Sequence, residues 1–161
     1  MQLLGEALLL VLVANSAPIL IRQIPWLEKF TYPVDCGAKF FDGRRLLGTA
    51  KTWRGVFAAI FATMLCSIVL QLGWFTGVVV GILAMLGDSL SSFIKRRLAM
   101  PPSHMALGLD QIPESLLPLL YLHYLWHFNG HYIWVLVVMF IALELVLSRI
   151  LFRLHIRKRP Y

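Results

Sequence analysis

Long apolar runs dominate this sequence, and they decide what the chain can become. Leu3 to Ile21 is interrupted only by Glu6, Asn15 and Pro18. Further runs cover about 55–72, 74–94, 112–128 and 131–152. A helix needs about 20 such residues to cross a bilayer. Only helices and closed barrels can span one, because every backbone polar group there must be satisfied internally. Barrel strands would alternate in segments of about 10 residues, and these runs do not. With 59% hydrophobic and 14% charged residues, the chain is also too apolar for an ordinary soluble domain. The expectation is an all-α, polytopic membrane protein, one domain over 1–161.

Charge placement sets the expected topology. The fourth run is interrupted by Pro113, Glu114 and Pro118 and is weak by itself. If all five runs cross with the N-terminus outside, two polar stretches (Arg22 to Arg54 and Lys95 to Gln111) and the basic tail share the cytoplasmic side. All fifteen Lys and Arg then lie in or beside them, as the positive-inside tendency requires. The uncharged turns at 72–73 and 127–131 fall outside, near Trp74, Trp126, Tyr132 and Trp134 as an interfacial belt. Skipping the fourth run would strand the tail outside. Five helices, N-out and C-in, in the cell membrane, is therefore the expected arrangement. Nothing at the N-terminus reads as a cleavable signal. The net charge of +7 is read as an inner-face and phosphate feature, not a nucleic-acid surface.

Within that frame the acids stand out. Asp88 lies in "LGDSLSSFIKRRL", about two turns before the expected helix end. Intramembrane carboxylates are costly and are usually paired or functional. Asp88, Ser92 and Lys95 are spaced i, i+4 and i+7, so one helix face leads from the acid to the Lys95-Arg96-Arg97 cluster. The plain alternative is a structural pair between Asp88 and Ser92 or a loop cation. Asp110 ends the second polar stretch and suits a cap on the fourth helix. The two acids bracket one loop and could share one pocket. Two carboxylates beside many cations suit a Mg²⁺ that also binds phosphate.

The first polar loop, "DCGAKFFDGRRLLGTAKTWRG", mixes Asp35 and Asp42 with Lys39, Arg44, Arg45, Lys51 and Arg54. Gly43-x4-Gly48 before Lys51-Thr52 approaches a P-loop, but the lysine and threonine come two residues late. The physics still carries over: glycines expose backbone N–H groups, cations neutralise phosphate, and a helix N-terminus follows directly. Ordinary inner-face charge or lipid headgroup binding are the plainer readings. His123, His127 and His131 share a helical spacing but lack an acid or thiol to complete a metal site, so packing is expected. Glu144 is mid-helix and needs a partner, with Asn15 as a candidate. Cys36 and Cys66 match no redox or metal spacing.

"DGRRLLGTAKTWRG" and "GDSLSSFIKRR…LDQ" together resemble the CDP-archaeol synthases, archaeal relatives of the CDP-diacylglycerol synthases. The resemblance covers both polar loops and the third helix, roughly half the chain. It implies five transmembrane helices, a cytosolic nucleotide pocket, Mg²⁺, and transfer of CMP from CTP to an unsaturated archaetidic acid. Carried over residue by residue, it implies that Asp88 and Asp110 hold the metal, with Lys95 and Arg96 beside them in catalysis. It places Asp35, Lys39, Asp42, Gly43, Arg44, Arg45, Gly48, Lys51, Thr52, Arg54, Ser92, Arg97 and Gln111 around nucleotide and phosphate. Two departures stand out: Cys36 where the family commonly has glycine, and Pro113 followed by Glu114 where it often has an acid. The competing readings are a CDP-alcohol phosphotransferase, whose D-x3-D run is missing here, and a transporter or lipid-binding membrane protein, for which no internal repeat appears.

Overall fold

The computed structural model describes residues 2–24, 31–100 and 106–154. Among the described residues there are five helices: α1 (Gln2–Ile21), α2 (Trp53–Val69), α3 (Trp74–Arg97), α4 (Gln111–Trp126) and α5 (His131–Arg153). Three of them, α1, α3 and α5, are long and apolar enough to cross a membrane, and α2 is a shorter apolar helix. Phe57, Phe61, Val69 and Val138 stand well exposed on the outer surface, a distribution that suits hydrocarbon surroundings. The basic tail Arg157, Lys158 and Arg159, and Pro101-Pro102, lie outside the described residues.

Sequential helices are neighbours, and α3 touches α1, α2 and α4. The core is built from Leu10 and Val11 of α1, Val80 of α3, Leu119 and Leu122 of α4 and Phe140 of α5, all fully buried. The fourth helix has too little apolar character to register as a span, yet it buries Gln111, Glu114, Ser115, Pro118, Leu119 and Leu122 on one stripe. Its Pro113 falls in the first turn, where a missing N–H costs nothing.

Tight packing around α3 comes from glycine. A Cβ at Gly77 or Gly81 would strike the α2 backbone at Thr63–Met64 and at Ile60. A Cβ at Gly87 would strike Pro113 and Glu114 of α4. Small residues at such spacing let membrane helices approach backbone to backbone. The Gly87 contact matters most, because it joins the residue before Asp88 to the turn just after Asp110.

Two expectations about helix ends are corrected. The third helix does not stop at residue 94 but runs through Lys95, Arg96 and Arg97, which form its last turn. Cations there complement the negative end of the helix dipole, so loss of apolar character did not mean loss of helix. Asp110 occupies the N-cap position of α4, but its side chain makes no capping bond; a lysine from α3 has claimed it instead. Smaller differences follow local chemistry. The second helix begins at Trp53 because the Thr52 hydroxyl accepts from Gly55 N, and the fourth ends where His127 turns left-handed (φ 49°).

Candidate active site

The first loop folds around one carboxylate. Asp35 Oδ1 accepts from Arg45 Nη2 (2.7 Å) and Gly37 N (3.1 Å). Its Oδ2 accepts from Leu47 N (3.2 Å) and Gly48 N (3.0 Å). Burial alone would raise this carboxyl's pKa, but the guanidinium and three backbone donors outweigh it and hold it below the ordinary range. The turns use left-handed glycines at Gly37, Gly43 and Gly48 (φ 82°, 74° and 92°). Cys36 also takes φ 46°, which accounts for glycine being the commoner choice there. Lys51 O accepts from Val34 N and Tyr32 O from Trp53 N, so the loop's two ends run side by side.

The loop is then clamped onto the end of α3. Arg97 Nη1 pairs with Asp42 (2.5 Å) and its Nη2 donates to Arg45 O (2.8 Å). Its guanidinium lies over Phe40 and Phe93, 4.7 and 5.1 Å from the ring centres. Arg44 Nη1 donates to Arg97 O (3.1 Å). Gln111 Oε1 accepts from Gly108 N (2.8 Å) and fixes the second loop against α4. Much of the set expected around phosphate thus shapes the loops themselves: Asp35, Asp42, Arg44, Arg45, Arg97, Thr52 and Gln111 are engaged with protein.

A smaller set faces inward. Lys51 Nζ bridges both oxygens of Asp88 at 2.5 Å. Lys95 Nζ lies 2.7 Å from Asp110 Oδ1, while Asp110 Oδ2 accepts from Ala106 N (3.0 Å). Lys95, Arg96 and Ser92 are buried along α3. The Arg96 side chain lies beside Gly48, 3.8 Å from where a Cβ there would stand, so the first loop is in van der Waals contact with that guanidinium. Arg54, in the first turn of α2, is half-buried, and its Nε and Nη1 have no hydrogen-bond partner. Lys39 is exposed on the loop. Asp88 therefore pairs with a loop cation, and Asp110 with a helix cation.

One residue was left out of the expected set. Glu114 is 6% exposed, has an unpartnered Oε1, and lies within electrostatic reach of Asp88, Glu144, Lys51 and Asp110. Its signal in the sequence was only its place one turn past Asp110. Two of the three histidines make ring contacts: His123 meets Phe128 edge-on with ring centres 5.2 Å apart, and His131 meets Tyr132, whereas His127 is exposed.

Glycine turns, cations and paired acids gathered at one end of an apolar helical bundle define a membrane-protein class with a charged site. The protein-family model described as "CarS-like: CDP-archaeol synthase" matches residues 8–161. The chain belongs to the CDP-archaeol synthase family. It is 36% identical over 113 residues to the CDP-archaeol synthase of Pyrobaculum arsenaticum, covering 67% of this chain and 66% of that one. With the Pyrococcus furiosus protein of the same description it shares 34% over 108 residues, 61% of this chain and 60% of the relative. The match thus spans slightly less than two thirds of these relatives' length. A solved structure described as an intramembrane enzyme for archaeal membrane lipids biosynthesis superposes with a TM-score of 0.71 at 26% identity, covering 89% of this chain and 90% of that one. This membership argues against the phosphotransferase and transporter readings.

Proposed function

We propose that this chain transfers CMP from CTP to the phosphate of an unsaturated archaetidic acid, giving CDP-archaeol and pyrophosphate, with Mg²⁺ as cofactor. A lipid phosphate oxygen bonds to the α-phosphorus of CTP. The bond from that phosphorus to the bridging oxygen breaks, and its electron pair leaves with pyrophosphate. The attacking oxygen is already anionic, so no general base is needed. The obstacle is repulsion between two anions, and catalysis rests on positioning and charge neutralisation.

The observation that carries this reading is the pair of ion pairs Lys51–Asp88 and Lys95–Asp110 on facing elements. The donor chemistry fits Mg²⁺, which prefers one or two carboxylates plus substrate phosphates over a full protein cage. Among the described residues no group of three or more His, Cys, Asp or Glu is arranged as such a cage. Asp88 and Asp110 would hold the ion, and each already attracts a cation. Bound there, it would draw charge from the α- and leaving phosphates. Lys51, once released from Asp88, is placed to meet the triphosphate. Arg54 and Lys39 approach it from the loop, and Lys95 and Arg96 from α3. Asp35, Asp42, Arg44, Arg45 and Arg97 act one step back by fixing the loop that carries Lys51.

We place the five helices across the membrane with the N-terminus outside and the site on the cytoplasmic side. The placement of positive charge supports this. The 24 residues of α3 span about 36 Å, whereas the 16 of α4 span only about 24 Å at 1.5 Å per residue. Gly87, ten residues before the end of α3, abuts Pro113 and Glu114 in the first turn of α4, so α4 begins about 10 Å short of the level where α3 ends. Lys95 reaches down to Asp110, and the site lies in a recess.

The direct test incubates the purified protein in detergent with α-labelled CTP, Mg²⁺ and digeranylgeranylglyceryl phosphate. Labelled CDP-lipid and pyrophosphate are expected. A folded protein that forms neither would refute the reading.

A further inference from the structure

The first loop closes in a tight hairpin. Lys39 and Arg45 pair across it. Phe40 O accepts from Gly43 N (2.9 Å), and Phe40 N donates to Arg44 O (2.8 Å). Gly43 is left-handed, the pattern of a three-residue hairpin turn with Phe41 and Asp42 at its tip. Aspartate suits such a tip. Phe41 has no such reason to be there, and its side chain is fully exposed. The hairpin lies against a particular side of α3. Ile82, Leu86 and Leu90 are exposed, and their spacing puts them on one helix face with Phe93 and Arg97, opposite Asp88 and Lys95. The other sides of α3 pack on α1, α2 and α4, so this stripe faces lipid. Phe40 covers its last turn: its ring centre lies 5.5 Å from that of Phe93, with the Arg97 guanidinium over both rings. Phe41 meets Phe40 edge-on at 5.1 Å. Phe93 stands about 6 Å before Arg97 at 1.5 Å per residue, so a row of rings leads from the end of the lipid-facing stripe to the hairpin tip.

We propose that Phe41 is an interfacial anchor: its ring inserts at the headgroup–acyl boundary of the bilayer beside the basic end of α3 and ties the first loop to the membrane. The occupant is lipid for two reasons. The ring continues a surface that already faces hydrocarbon, and aromatic rings concentrate at this level of a membrane. Lys39 and Arg44, exposed on the two arms of the hairpin, match anionic headgroups. A water-soluble partner would account for the bare ring but not for its continuity with Leu86, Leu90 and Phe93. The same loop carries Lys51, which reaches Asp88 on the opposite side of α3. Phe41 would hold the loop to the bilayer, while Arg97 holds it to the helix through Asp42 (2.5 Å). The anchor does not depend on the reaction proposed above.

The test reads the depth of position 41 in a membrane. Phe41→Cys is combined with Cys36→Gly and Cys66→Ala, so that a single thiol carries a nitroxide spin label. The full chain is reconstituted into vesicles of mixed neutral and anionic phospholipid. Collisions of the label with oxygen, which concentrates in hydrocarbon, and with a water-soluble nickel chelate are measured by power saturation. The label should favour oxygen, at a depth of about 5–10 Å into the headgroup–acyl boundary, with chelate collisions several-fold below those of the free label in solution. Chelate collisions as frequent as in solution would place the ring in water. A label shielded from both reagents would be covered by protein, whether its own loop or a second copy. Either result overturns the proposal. Because the label replaces the native ring, p-benzoylphenylalanine placed at position 41 gives a second measurement. Photolysis in the same vesicles should yield lipid adducts, and adducts confined to protein would overturn the proposal as well. Neither measurement needs turnover, so failure of CMP transfer would strike the reaction reading and leave the anchor standing.

Discussion

Gly87→Ala separates positioning from mere folding. In α3 an alanine is intrinsically better than glycine by about 1 kcal/mol. At this position, however, the new Cβ would stand 2.7 Å from Glu114 Cα and closer still to the Pro113 carbonyl. Carbon atoms rest at about 3.5–4.0 Å, so α3 and α4 must part by about 1 Å. Overpacking of this kind costs about 1–3 kcal/mol. The same displacement would lengthen the Lys95–Asp110 contact, now 2.7 Å, and separate Asp88 from Asp110. A 1 Å misplacement of reacting groups can cost about 10²-fold in rate. Gly87→Ala is therefore expected to lower turnover by about two orders of magnitude while the purified protein stays helical. Gly81→Ala is the control, because its Cβ would meet Ile60 Cα of α2 at 2.8 Å and leave the α3–α4 contact alone. That variant should lose thermal stability with turnover per folded molecule largely kept. The assays are labelled-CTP transfer and thermal unfolding in one detergent. Wild-type turnover in Gly87→Ala would show that this helix contact does not set the site.

Two further substitutions probe the inner acids. Asp88→Asn keeps the shape but removes the charge opposite Lys51; losing a charge-assisted contact of about 1.5–3 kcal/mol corresponds to about a 10- to 150-fold fall in Mg²⁺-dependent turnover, and near-normal turnover at saturating Mg²⁺ would refute the role. Lys51→Met frees Asp88 of its ammonium, so Mn²⁺ binding without nucleotide, followed by electron spin resonance, should tighten while turnover falls; weaker binding would show that Lys51 does not compete with the metal. Asp35 gives a pH signature outside the membrane: its folded pKa lies below the ordinary 3.8, so its stabilisation is present above that value and is lost as pH falls through the lowered one. Protection of the Leu47 and Gly48 amides, measured against their intrinsic exchange rates, should fall over that acidic window in the wild type, and Asp35→Ala should lack it at every pH; protection that survives in the variant would show that Asp35 does not order the loop.

The helices were legible because apolar runs of spanning length permit little else, and even α4, hidden by Pro113 and Glu114, was demanded by the placement of the cations. Their ends were less so. The apolar pattern stops at Ile94 although the helix does not, since cations favour a helix C-terminus for reasons that hydropathy ignores. Asp110 has the composition of a cap, but a partner 15 residues away in sequence took its side chain, and sequence spacing carries no word of that. The same limit applies to the cations. Arg97 and Lys95 look equivalent in "KRR", yet one is spent on Asp42 and the Arg45 carbonyl and the other faces Asp110. The close helix contacts at Gly77, Gly81 and Gly87 were not read from the sequence and needed three dimensions.

The two lysine–aspartate pairs explain how so many charges can sit in a recess of a membrane protein. Separately, each carboxylate would be expensive there, and each ammonium would be as well. Paired, they neutralise one another across elements that must otherwise be held together: the first loop to α3 through Lys51, and α3 to α4 through Lys95. On the proposed reading the arrangement stays poised because a divalent ion and a polyphosphate would offer the same four groups better-matched partners, cation to carboxylate and ammonium to phosphate. The two ligands should then bind cooperatively, since each releases the groups that the other needs. Equal metal affinity with and without CTP would contradict that exchange.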